Sequence, residues 1–143
     1  MAPSQMIMHA TTLDFDGYGI LLKGASGAGK SGLALQLMAL GMHLVADDRT
    51  ELTAKAKAIV ATAPTAINGL IEARGIGLLN VDCIDETNVQ LVIDLSRVEE
   101  HRFPKGRTEE ILGRQLPCLR KVNAPYFPAA IRQYVIAGRR EPL

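Results

Sequence analysis

The chain has 143 residues, 48% of them hydrophobic, with 16 Lys and Arg against 15 Asp and Glu. This length suits one compact domain over residues 1–143, and a formal net charge of +1 offers no basic footprint for nucleic acid. No apolar run approaches the ~20 residues of a bilayer span, and Met1–Gln5 holds no basic segment ahead of an apolar one, so the expectation is a cytoplasmic protein without a membrane partner.

Along the chain, Tyr18–Lys23 is an apolar run ending before a glycine, the pattern of a buried strand that feeds a turn. Lys30–Leu40 is rich in Leu, Ala, Met and Gln and predicts a helix, with Gly41 placed to stop it. His43–Asp48, Glu51–Thr53 and Ala58–Thr62 are each short enough to be strands, and Pro64 closes that group. A helical turn is expected around Asn68–Ala73, then strands near Ile76–Val81 and at Val89–Leu95. The polar stretch 98–113 predicts a mobile loop and a short helix, and Pro128–Ala137 a last helix that Gly138 stops. Alternation of the two kinds of segment in the first half makes an α/β pattern. Cys83 and Cys118 form no Cys-x-x-Cys pair and have no zinc-like His spacing, so both are expected to be reduced core thiols.

Gly24, Ala25, Ser26, Gly27, Ala28, Gly29, Lys30 and Ser31 fit G-x-x-x-x-G-K-[ST] in full, between the expected strand and the expected helix. Glycines there let successive N–H groups turn inward around an anion, and the helix N-terminus adds partial positive charge. Lys30 then reaches the outer phosphates of ATP or a close relative, and the Ser31 hydroxyl takes one position on Mg²⁺. A metal-binding acid at a strand end is also needed, and two segments offer one: Leu44-Val-Ala-Asp47-Asp48 and Leu91-Val-Ile-Asp94. Spacing alone does not choose between them. His9, Glu72 and the basic group Arg97, Arg102, Lys105, Arg107 and Arg114 each have an ordinary structural reading, although one arginine from that group would suit a charge-stabilising finger.

Taken together, His9 ahead of the loop, Asp16–Ser31, Leu44-Val-Ala-Asp-Asp-Arg49 and Ile71-Glu-Ala-Arg-Gly-Ile-Gly-Leu-Leu-Asn-Val81 resemble the catalytic domain of HPr kinase/phosphorylase. The resemblance covers nearly the whole chain. It implies a single P-loop kinase domain of the phosphoenolpyruvate carboxykinase-like type, in agreement with the absence of kinase H-R-D and D-F-G motifs. It implies an ATP-dependent serine kinase acting on HPr or a related carrier, with pyrophosphate and inorganic phosphate as further co-substrates of the phosphorolytic reverse reaction. It turns the choice of acid to Asp47 and Asp48, leaving Asp94 structural. By the same resemblance Asp47 is the proton acceptor, His9 lies beside the transferred phosphate, Asp48 and Glu72 join Ser31 on the metal side, and Arg102 is the arginine that reaches in.

Departures from the family pattern are also expected. The chain reads as a short form without the N-terminal domain and without the C-terminal helices that help bind HPr and build a hexamer. The stretch between Val81 and Val89 is short, and Ala25 stands where an acid is usual. A nucleotide-sensing module and a small-metabolite kinase are the competing readings, the latter with 97–114 as a lid, while the missing Asn-Lys-x-Asp motif disfavours a GTPase.

Overall fold

The computed structural model describes residues 4–140, which form a mixed α/β fold dominated by strands. Its elements begin with β1 (Gln5–Met8), β2 (Ala10–Phe15), β3 (Tyr18–Lys23), α1 (Lys30–Ala39), β4 (His43–Ala46), β5 (Thr50–Lys55) and β6 (Ala58–Thr62). After a 3-10 turn at Thr65–Ile67 come β7 (Leu70–Ala73), β8 (Gly77–Asn80), β9 (Glu86–Val98), β10 (Arg107–Ile111), β11 (Arg114–Lys121) and α2 (Phe127–Ala137). No helix among the described residues is long and apolar enough to cross a membrane.

The expected strand–loop–helix unit forms with its strand bounds unchanged. In α1, Leu33, Ala34 and Leu37 are buried, the three-and-four spacing that keeps one face on the core. Its C-terminus closes with Gly41 N–H on the Met38 carbonyl and Met42 N–H on the Leu37 carbonyl, the two bonds of a Schellman motif. Three expectations are corrected. Leu70–Ala73 is a strand hairpinned with β8, and the helical turn lies earlier, at Thr65–Ile67. The second half of 98–113 is strand β10 rather than a helix. The two cysteines are free, as expected, but only half-buried.

β9 organises the main sheet, whose order is β1-β5-β6-β9-β3-β2-β4. One edge of β9 pairs in parallel with β3. Its other edge takes β6 antiparallel at the N-terminal half and β11 parallel at the C-terminal half, so the sheet forks there. Two cores result. Leu13, Ile20, Leu22, Leu91 and Ile93 face α1 and α2, whereas Leu21, Leu52, Ile59, Val92 and Ile111 fill the opposite side. The alternation of Ile20, Leu21 and Leu22 between these cores follows from the strand period of two.

Such double burial explains the unbroken apolar runs of β3 and β9. β3, β9 and β11 all point their C-terminal ends to the same edge, where open α/β sheets carry their ligands. The phosphate loop leaves from that edge.

Candidate functional site

The loop 24–29 joins β3 to α1 and is closed by a bond from Ala28 N–H to the Ala25 carbonyl. Gly29 caps the helix with φ 99°, in the left-handed region that glycine enters without Cβ strain. A Cβ on Gly24 would lie 2.9 Å from the Ala28 Cβ, so that position is also closed to side chains. Lys30 is 5% exposed. Its Nζ folds back to donate to the carbonyls of Gly24 at 2.7 Å and Ala25 at 3.1 Å, the groups it must leave to reach a phosphate.

Asp47 and Asp48 occupy the bend between β4 and β5 and face different surroundings. Asp47 is buried and accepts bonds from the Thr11 hydroxyl at 2.9 Å, the Ser31 hydroxyl at 2.7 Å and the Glu72 amide at 3.1 Å. Asp48 adopts φ 66°, a left-handed conformation that Asp tolerates better than most residues. Its carboxylate meets His9 Nε2 at 2.5 Å and lies 3.7 Å from Lys30 Nζ. The Asp48 side chain is 54% exposed.

A cavity of about 460 Å³ opens over the loop. Lys30, Ser31, Asp48, Glu72 and Arg74 line it, along with loop glycines. The structure therefore brings together His9, the phosphate loop, both aspartates and Glu72. It does not bring Arg102 to this cavity: Arg102 stacks over Phe103, 5.1 Å from the ring centroid. Of the other basic residues, Arg107 pairs with Glu99, and Arg114 donates to the carbonyls of Ala56 and Ala58.

Asp94 takes the structural part expected of it, accepting from the Ser96 amide at 2.9 Å and from the Ser96 hydroxyl. Burial pushes its carboxyl up, but the Ser96 bonds and the charges of Lys23 and Arg97 outweigh burial and hold it below the usual range.

Two residues of the site were given no role from the sequence. Thr11 donates to Asp47 and accepts from the Asp48 amide at 3.0 Å, so one buried hydroxyl orients both acids. Its only trace in the sequence is a β-branched pair, Thr11-Thr12, next to His9. Arg74 is the arginine on the cavity wall, and it stood in plain view beside Glu72. Glu72 and Arg74 do not pair among the ion pairs of the described residues.

Mg²⁺ prefers hard oxygen donors and keeps several waters, using one or two carboxylates plus substrate phosphates. Ser31, Asp48 and Glu72 supply such oxygens on the cavity wall and Asp47 supplies them just behind Ser31, and no group of three or more His, Cys, Asp or Glu among the described residues forms a ready-made cage. That donor set fits a Mg²⁺ that arrives with a nucleotide.

A model of the HPr serine kinase C-terminal domain family matches residues 1–120. HPr kinase/phosphorylase of Clostridium acetobutylicum is 34% identical over 132 residues, covering 87% of this chain and 41% of the relative. The enzyme of that name from Limosilactobacillus reuteri is 39% identical over 138 residues, covering 87% of this chain and 42% of the relative. The chain thus spans about two fifths of the length of these curated relatives. A solved structure described as the HPr(Ser) kinase/phosphatase from Coxiella burnetii is similar with a TM-score of 0.78 at 28% identity, over 92% of this chain and 88% of that one.

Proposed function

Because the chain belongs to the HPr serine kinase C-terminal domain family, we propose that it transfers the terminal phosphoryl group of ATP to a serine of an HPr-like carrier protein. The observation that carries the proposal is the meeting of Lys30, Ser31 and Asp48 at one open cavity, with Asp47 bonded to Ser31 beneath it, because phosphoryl transfer asks for positioning and charge neutralisation above all. Loop amides and Lys30 Nζ bind the phosphates once Nζ exchanges the Gly24 and Ala25 carbonyls for phosphate oxygens. Mg²⁺, when bound, supplies further neutralisation of the phosphate charge.

The serine oxygen attacks the γ-phosphorus, its proton passes to a carboxylate, and the bond to the bridging oxygen breaks to release ADP. Which acid takes the proton follows from side-chain position. From sequence, Asp47 is the base and Asp48 a metal ligand. We infer the opposite division, because Asp48 opens onto the cavity beside His9 while Asp47 is buried with all its donors beneath Ser31. The original assignment stands as the second reading, since acids in unliganded sites often shift when substrate binds. A metal ligand's loss is partly recovered by excess Mg²⁺; a base's loss is not. Asp48→Asn is therefore expected to stay inactive across a Mg²⁺ titration while Asp47→Asn regains activity, and the reverse pattern restores the original assignment.

Arg74 is the better-placed arginine for the transferred group, with Arg102 entering only if the loop at 99–106 moves. Arg74→Ala is expected to slow transfer more than Arg102→Ala. In the reverse direction, inorganic phosphate attacks the phosphoserine and leaves as pyrophosphate, freeing the serine. A cytoplasmic location belongs to the same proposal. The test of the kinase reading is incubation with ATP, Mg²⁺ and HPr followed by mass spectrometry. Phosphoserine on HPr above a Lys30→Ala control is expected, and its absence overturns the proposal.

A further inference from the structure

A second hollow, of about 550 Å³, lies on the other side of the start of α1 and shares Gly29 and Gly32 with the phosphate cavity. Its volume is that of an ordinary small-molecule site. It sits at the C-terminal end of β11 and beside Leu95 of β9, with the segment 121–125 forming its wall. Leu33, Val122 and Phe127 make most of it apolar. Lys121 and Asn123 are two of its polar side chains, and among the described residues no hydrogen bond or ion pair within the chain engages either. Asn123 is exposed at its mouth.

Polar side chains without partners at the rim of an apolar hollow are what a planar, polar-edged ligand requires. We propose that this hollow seats the adenine base and ribose of ATP, with the Asn123 amide reading the base edge. The inference rests on the nucleotide-binding reading above and adds which part of the nucleotide goes where. An Asn amide presents one donor and one acceptor, which match the N6–H donor and N7 acceptor of adenine; guanine shows two acceptors on that edge and satisfies only half of the amide. Gly29 and Gly32 line both cavities and place no side chain between them, so one nucleotide spans the start of α1 with its phosphates on one side and its base on the other.

The test is calorimetric binding of ATP, GTP and tripolyphosphate, each with Mg²⁺, to the full chain. Wild type is expected to bind ATP about tenfold or more tightly than either competitor, the size of one or two directed hydrogen bonds and an apolar contact. Asn123→Ala should weaken ATP about tenfold and leave tripolyphosphate unchanged. Photolabelling with 2-azido-ATP provides an independent readout and should mark residues within 121–128. Equal affinity of wild type for ATP and tripolyphosphate, or labelling elsewhere, overturns the subsite and leaves the phosphate loop intact. If no polyphosphate binds and Lys30→Ala behaves as wild type, the subsite and the nucleotide reading both fall.

Discussion

Thr11 sits between the two acids, donating its hydroxyl hydrogen to Asp47 and accepting the amide hydrogen of Asp48. Removing the hydroxyl leaves a buried carboxylate short of a donor and an amide short of an acceptor, each costly to leave unsatisfied. Thr11→Val is therefore expected to lower kcat about tenfold, or ~1.4 kcal/mol of lost positioning, with KM for ATP little changed. Thr11→Ser should restore most of the rate, and failure of that rescue would show that packing rather than the hydroxyl matters. At the same scale, Asp94 is held below its ordinary value near 3.8, so its ionised form contributes stability in full above that value. This contribution is lost as pH falls through the lower folded-state value. Glu99, lowered chiefly by its bond to Arg107, acts in the same direction. Melting temperature should drop on acidification below about pH 4, with a shallower slope in Asp94→Asn; equal slopes would contradict the assignment.

Among the elements, β3 carries the mechanical load of the site because it feeds the loop directly. Gly19 on β3 lies so close to β9 that an added Cβ would meet the Asn88 carbonyl oxygen at 2.5 Å. Gly19→Ala should cost about 1–3 kcal/mol in urea unfolding, the range for overpacked cores, and should weaken ATP binding by shifting the loop. Unchanged stability would mean that β3 and β9 separate freely.

The unit from β3 to α1 was legible in the sequence because its signals are contiguous: an apolar run, a glycine loop, then helix formers up to Gly41. β2 was not, since Ala10-Thr-Thr-Leu-Asp-Phe15 is polar at buried positions whose hydroxyls are satisfied only by distant partners, such as Thr12 with Thr50. β10 and β11 escaped notice for another reason. Arg107-Thr-Glu-Glu-Ile111 carries charge on both faces, and Pro117 argues against a strand, yet Pro117 is an exposed residue just before β11 joins β9 at Cys118. In the same way, the residue types of the site were readable one by one, whereas the different surroundings of Asp47 and Asp48 go with a left-handed turn at Asp48 that no local pattern announces.

For the whole molecule, the sheet separates two cores, and the phosphate loop leaves the sheet at the C-terminal end of β3. The cavity there is lined by the phosphate loop, α1, Asp48 of the β4–β5 bend and the β7–β8 hairpin together, so the binding energy of a ligand in it bears on global unfolding. Mg²⁺ with ATP at 100 times Kd should add about 2.7 kcal/mol of stability, seen as a raised melting temperature that Lys30→Ala abolishes. An equal rise in that variant would place binding elsewhere. The most direct test of the central claim, that this edge is a reversible serine phosphoryl-transfer site, is a phosphorus-31 NMR time course with ATP, Mg²⁺ and HPr, followed by excess inorganic phosphate. The phosphoserine resonance should grow with ADP and then decay as pyrophosphate appears. ATP consumed at the same rate with and without HPr, and no phosphoserine signal, would contradict the account.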